Sequence, residues 1–217
     1  MADLRSEEEQ LEAFKHWWQS NGKSLIAGIT IAVAGIGGWK AWETYNTQRA
    51  EAASALYQQL TTVIQQPASD QRNKEANALV EKLTGEYDGS IYADYADLFA
   101  ARIAVEQKDY AAATGYLRHA LKHSQVDTIQ LVARLRLARV LKAQAKPDEA
   151  LALLNGVETG SFEAEYDALK GDLLVATGKE EEARAAYNKA LTASREQGQS
   201  DPTLQMKIDN LGSQGDA

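Results

Sequence analysis

The chain has no cysteine, three histidines and three prolines in 217 residues. Without cysteine there is no disulfide, no thiolate metal site and no cysteine nucleophile, and the redox compartment is left open. With so little proline, 7% aromatic residues and an abundance of Ala, Leu, Glu, Gln and Lys, helices are favoured over strands. A surplus of positive charge is missing as well. The formal net charge is −8, and from Glu43 onward 26 acids face 19 bases. Phosphate backbones need clustered positive charge, so nucleic acid is excluded as a partner. What is present, 44% hydrophobic and 25% charged residues, is the composition of a folded protein. The expected fold class is all-α.

Motifs that carry chemistry are equally scarce. Gly22-Lys23-Ser24 has the look of the end of a phosphate-binding loop, but Trp17 stands where such a loop needs glycine, and no strand precedes it. His119 and His123 are one helical turn apart and could chelate a metal, yet no glutamate stands between them in the protease pattern and no third ligand is evident. They read as part of a solvated helix face. Acid pairs fall on the expected helices, where they solvate and pair at i,i+4. The expectation is a protein that is not an enzyme, with no catalytic residue, no bound metal and no cofactor.

One stretch is out of keeping with the polar remainder. Residues 24–39, SLIAGITIAVAGIGGW, lie uncharged between Lys23 and Lys40. As helix at ~1.5 Å per residue they reach ~24 Å, short of the ~30 Å hydrocarbon layer. Trp17 and Trp18 on one side, and Trp39, Trp42 and Tyr45 on the other, suit the two headgroup layers. With Lys23 and Lys40 snorkelling outward, the shortfall is absorbed. A soluble core helix rarely has such aromatic ends. A cleaved signal fits poorly, despite Ala32-Val33-Ala34, because the residues ahead are acidic and too many. A single anchor over residues 23–42, in contact with the lipid bilayer, is the favoured reading. Ahead of it, residues 1–22 read as a short amphipathic helix with a Ser6/Glu9 capping box, an apolar face of Leu11, Phe14 and Trp18, and an end at Asn21-Gly22. Lys15 and Lys23 balance Lys40 and Arg49, and Arg5 with the amino terminus tips the N-terminal side inward. Within the anchor Gly28, Ala32 and Gly35 make one side nearly flat, a candidate packing face for another membrane helix.

The remainder repeats itself. KDYAAATGYLRHAL from Lys108, AKPDEALALLNGV from Ala145 and GKEEEARAAYNKAL from Gly178 each open on a polar turn and continue with a small, large, then small or β-branched residue. The sets are Ala113, Leu117, Ala120; Ala150, Leu154, Val157; and Ala183, Tyr187, Ala190. Leading alanines are 37 and 33 residues apart, and Ala76, Val80, Leu83 forms a weaker unit 37 residues earlier. Periods near 34 in helix-turn-helix units resemble tetratricopeptide repeats. Leu137, Ala138, Leu141, Gly171 and Leu174 supply the first helices of the later pairs, and Ala100, Ala101 and Ala104 depart from that pattern in the first. Asp201-Pro202 begins a closing helix with Leu204, Ile208 and Leu211 on one face. The repeat domain is expected over residues 43–211, with a loose tail over 212–217.

The N-terminal EEEQLEAFKHWWQSNGKSLIAG, the GWKAW after the span, the degenerate repeats and the terminal LQMKIDNLG together resemble the ancillary SecYEG translocon subunit family, also called the YfgM family. The resemblance covers nearly the whole chain, and its two ends are the specific parts. It implies a single transmembrane helix followed by a tetratricopeptide-repeat-like α-solenoid, in a bacterial inner-membrane protein with its N-terminus cytoplasmic and its repeats periplasmic. It further implies association with the SecYEG translocon and the membrane-anchored chaperone PpiD, and help for newly translocated proteins on their way to periplasmic chaperones. An independent holdase for unfolded exported proteins, or an envelope scaffold for another machine, are the alternatives, since fold does not settle function. Concave-face positions of such repeats make Tyr95, Leu98, Arg102, Leu135, Arg139 and Lys142 a candidate groove, a mixed apolar and basic strip suited to an extended segment.

Overall fold

The structure, a computed structural model, describes residues 7–213. Nine α-helices and one 3₁₀ turn, and no strand, make up the described residues. Contacts divide the chain into two units, Met1–Glu51 and Ala52–Ala217. Helix α1, Glu7–Ile64, supplies all the described part of the first unit and the beginning of the second.

In the first unit, α1 does not end at Asn21-Gly22. The Asn21 side chain turns back to donate to the Trp17 carbonyl at 3.1 Å. Gly22 is buried beneath the Trp18 ring, whose atoms come within 3.2 Å of where a Cβ would stand. A glycine inside a helix costs roughly 1 kcal/mol, little against the bonds gained by propagating helix already nucleated on both sides. The Ser6 half of the expected capping box, and Arg5, lie outside the described residues. From Leu25 to Ile36 the large apolar side chains are exposed, Ile31 at 74% and Ile36 at 69%. None of the apolar window is buried within the chain, and the helix is long and apolar enough to cross a membrane. The soluble-core reading finds no support, because nothing among the described residues covers these side chains. Rings cluster at both ends, Phe14 with Trp17 and Trp18 at 6.3 Å and Trp39 with Trp42 at 5.4 Å between centroids.

The second unit is a run of helix pairs. The C-terminal part of α1 shares a core with α2 (Asp70–Glu86) and α3 (Ile91–Glu106), α3 pairs with α4 (Tyr110–His123), α5 (Asp127–Ala143) with α6 (Pro147–Leu154), and α7 (Glu163–Ala176) with α8 (Glu180–Glu196), after which α9 (Pro202–Ser213) closes the series. The small-large-small sets are its interior. Ala113, Leu117 and Ala120 are at most 1% exposed, as are Ala76, Val80 and Leu83 of the weaker unit. Each fully buried leucine of this kind contributes roughly 1.5–3 kcal/mol over an exposed one. Alanine lets the paired helix approach, and the next pair buries what is left. Ala100, Ala101 and Ala104 are buried in the same way, so the departure in the first pair is one of residue size alone. Val157 is the exception. Helix α6 ends at Leu154 and Gly156 takes φ 68°, so Val157 packs half-buried from the following loop.

The three pairs that follow α2 each turn on one device. Lys108, Ala145 and Gly178 adopt φ of 61°, 59° and 74°, and the next amide donates five residues back, Asp109 to Ala104, Lys146 to Leu141 and Lys179 to Leu174, at 2.8–2.9 Å. These are Schellman turns, and they recur at the repeat spacing. Ser69, Ser90, Asp109 and Asp201 cap the helices that follow them. Helix α9 runs through Ser213, so two residues assigned to the tail are helical; residues 214–217 lie outside the described ones.

The C-terminal end is tied by one carboxylate. Asp172 of α7 accepts from the Tyr187 hydroxyl of α8 at 2.8 Å and from Lys207 of α9, and Lys142 of α5 lies 3.7 Å away. Burial alone would raise the Asp172 pKa, but the hydrogen bonds from Lys207 and Tyr187 and the two lysine charges hold it below its ordinary 3.8. The contribution to stability is therefore complete above the unfolded-state value and is lost as pH falls through the lower folded one. Asp172→Asn is expected to cost about 1–2 kcal/mol at pH 7. In thermal melts the gap from the parent should close toward pH 2; a constant gap would show that the charge is not what matters.

Candidate functional site

The groove positions fall on α3 and α5, neighbours in the series. Two adjoining clefts, of about 310 and 340 Å³, open there. Arg102 and Arg136 line both. The first also takes in Val105, Glu106, Tyr110, Arg139 and Val140, and the second Tyr57, Tyr95, Leu98, Phe99 and Val132. Of the six positions read from the sequence, Tyr95, Leu98, Arg102 and Arg139 thus come together. Leu135 and Lys142 do not. Leu135 is 5% exposed inside the main core, and Lys142 faces Asp172. Arg136, one residue beyond Leu135, takes the central place. Its signal was its position one repeat length after Arg102.

The wall of the second cleft is aromatic. The Tyr57 ring lies 5.6 Å from those of Tyr92 and Tyr95 and 6.2 Å from Phe99, between centroids. Burial, then the neighbouring Tyr95, push the Tyr57 hydroxyl pKa up. The floor is basic. Arg102 Nε pairs with Glu106 at 2.9 Å, and Glu106 also receives Arg72, whose guanidinium is buried, at 2.8 Å. Hydrogen bonding from Arg72 is the main reason the Glu106 carboxyl lies below its usual range. Arg136 donates to the Leu98 carbonyl at 3.5 Å. Burial, then the charges of Arg139 and Arg102, lower its pKa. No carboxylate among the described residues forms an ion pair with Arg136 or Arg139. Positive charge is thus left over beside an apolar wall, on a chain of net charge −8. Such a strip can take an extended segment through side-chain burial and acidic groups.

The second candidate surface is in α1. Gly28, Ala32 and Gly35 are exposed, and a Cβ at either glycine would meet nothing within 4 Å. The flat side is thus free for close approach by another helix backbone.

Residues 15–213 match the profile of the tetratricopeptide repeat-like domain family. Among curated proteins, the chain is similar to the ancillary SecYEG translocon subunit of Haemophilus influenzae, 33% identical over 97% of this chain and 100% of that one. It is likewise similar to the ancillary SecYEG translocon subunits of Neisseria gonorrhoeae, 31% identical over 97% of this chain and 100% of that one, and of Escherichia coli, 28% identical over 97% and 99%. No solved structure matches the chain.

Proposed function

Because the chain belongs to the ancillary SecYEG translocon subunit family, we propose that it serves that channel as a non-enzymatic, membrane-anchored repeat adaptor. Residues 23–42 span the inner membrane, residues 1–22 stay in the cytoplasm, and residues 43–211 stand in the periplasm. There the repeats help newly translocated proteins reach periplasmic chaperones, the membrane-anchored PpiD among them. The observation that carries this reading is the likeness over nearly the full length to subunits named for the SecYEG translocon, together with one helix able to cross a bilayer. The division of labour follows from the two surfaces. The Gly28, Ala32 and Gly35 face meets a helix in the bilayer, and the aromatic and arginine-lined clefts meet an extended segment outside it.

The test is capture from intact cells. The tagged chain is crosslinked, the membranes are solubilised gently, and partners are identified by mass spectrometry. Channel subunits together with a periplasmic chaperone are the expected result. Replacing Gly28, Ala32 and Gly35 by Leu should cut channel recovery severalfold while insertion is unchanged, since leucines hold the two backbones apart. Recovery of many exported proteins, with channel subunits at background, would replace the adaptor by an independent holdase.

A further inference from the structure

The turn before α3 and the end of α4 bring three metal-ligating side chains together. Asp88, His119 and His123 each offer one ligand atom, and the three atoms lie within 4.8 Å of one another. His119 and His123 are a turn apart on α4, their rings stacked at 4.3 Å and 13°. Asp88 stands in the turn after α2, where one of its oxygens accepts the Gly89 amide at 2.9 Å and the other lies 3.8 Å from His123 Nδ1. All three side chains are about one-third to one-half exposed, so an ion can reach them.

What distinguishes this cluster from a solvated helix face is the group behind it. His119 Nδ1 is 2.7 Å from Oδ2 of Asp97, whose side chain is only 3% exposed. A buried carboxylate at that distance fixes the proton on Nδ1 and leaves the Nε2 lone pair facing away from it. This is the arrangement by which proteins orient a ligating histidine and raise its basicity. Asp94, also buried and bonded to Ser124 Oγ at 2.7 Å, adds a third carboxylate beside the two imidazoles. The acids thus outnumber the bases around the stacked rings, and a cation is the complement such a site lacks.

We propose that Asp88, His119 and His123 bind a divalent transition-metal ion of the zinc type, with Asp97 as the carboxylate that orients His119. Two imidazoles and one carboxylate suit zinc, whereas magnesium and calcium take oxygen ligands. Water completes the coordination. Metal–ligand bonds of ~2.0–2.1 Å set neighbouring ligand atoms ~3.4 Å apart, so the partly exposed side chains turn and close in around the ion from their spacing within 4.8 Å. The bound ion joins the α2–α3 turn to α4, strengthening the 3.8 Å contact between His123 and Asp88.

The test uses the full-length, tag-free chain in detergent, stripped with a chelator and titrated with Zn2+ by calorimetry and in thermal melts. One ion per chain, with a melting temperature that rises on saturation and no response to equimolar Mg2+, is expected. His123→Gln and Asp88→Asn should each weaken binding at least tenfold, and Asp97→Asn by 10–100-fold through His119, with circular dichroism showing each still helical. Absence of saturable Zn2+ binding by the parent chain would overturn the proposal, as would a binding curve unchanged in His123→Gln. The parent titration decides the matter even if a variant unfolds.

Discussion

Gly171→Ala is expected to destabilise the repeat domain by about 3 kcal/mol, the upper part of the usual range for an overfilled core. A Cβ there would lie 2.3 Å from Cε1 of Tyr187 and 2.5 Å from Cδ1, well inside contact distance. The ring has nowhere to go. Tyr187 is 3% exposed, its hydroxyl donates to Asp172 at 2.8 Å, and Lys207 stands 5.5 Å from its centroid. Moving the ring to admit one methyl group gives up that hydrogen bond and opens α8 away from α7. For a domain of this size a loss of that magnitude lowers the melting temperature by roughly 6–12 °C. Thermal melts of the parent and the variant check it. Shortening the opposing side chain in the double variant, Gly171→Ala with Tyr187→Leu, should recover part of the loss. A single variant that melts with the parent would mean that the two helices do not approach so closely.

Reversing Arg136 and Arg139 to Glu is expected to weaken binding of an acidic or unfolded segment at least tenfold, about 1.4 kcal/mol. Close charge pairs at interfaces carry at least this much. Arg136 and Arg139 have no carboxylate partner among the described residues, so their reversal removes cation from the clefts without breaking an ion pair of the fold. Arg102 is a poorer choice, since a glutamate there would face Glu106 and disturb the link to buried Arg72. Titration of a fluorescent unfolded polypeptide into the full chain, at low and high salt, measures the effect. The parent should lose affinity as salt rises, and the variant should be weak throughout. Equal affinities for parent and variant would remove the clefts from the binding surface.

The repeats were legible because their signal is local and periodic. Alanine at one position and leucine or tyrosine four later fix which side of α4 and α8 is buried, and no other element changes that outcome. Asn21-Gly22 misled for the opposite reason. Both residues favour helix ends, but here Trp17 and Trp18, one turn earlier, supply an acceptor and a cover. Leu135 was placed on the groove by counting positions within a generic repeat. The actual rotation of α5 turns Leu135 into the core and brings Arg136 to the surface. Most distant from sequence reasoning is Asp88. It lies 31 residues before His119, and only the stacking of α3 against α4 makes it the third ligand of a pair that looked incomplete.

A stack of helix pairs contains no instruction about where to stop, since each pair presents to the next the kind of surface it has itself received. In this chain the instruction is α9. Leu204 and Leu211, with Ile208, cover Ala183, Tyr187 and Ala190 of the last pair, and Lys207 reaches back to Asp172. Twelve residues thus cover the open face of the last pair. Remove them and the last pair becomes an open end, apolar and already shaped to accept a helix. Growth onto a second molecule is then no longer forbidden, so α9 is as much a guard against polymerisation as a part of the fold.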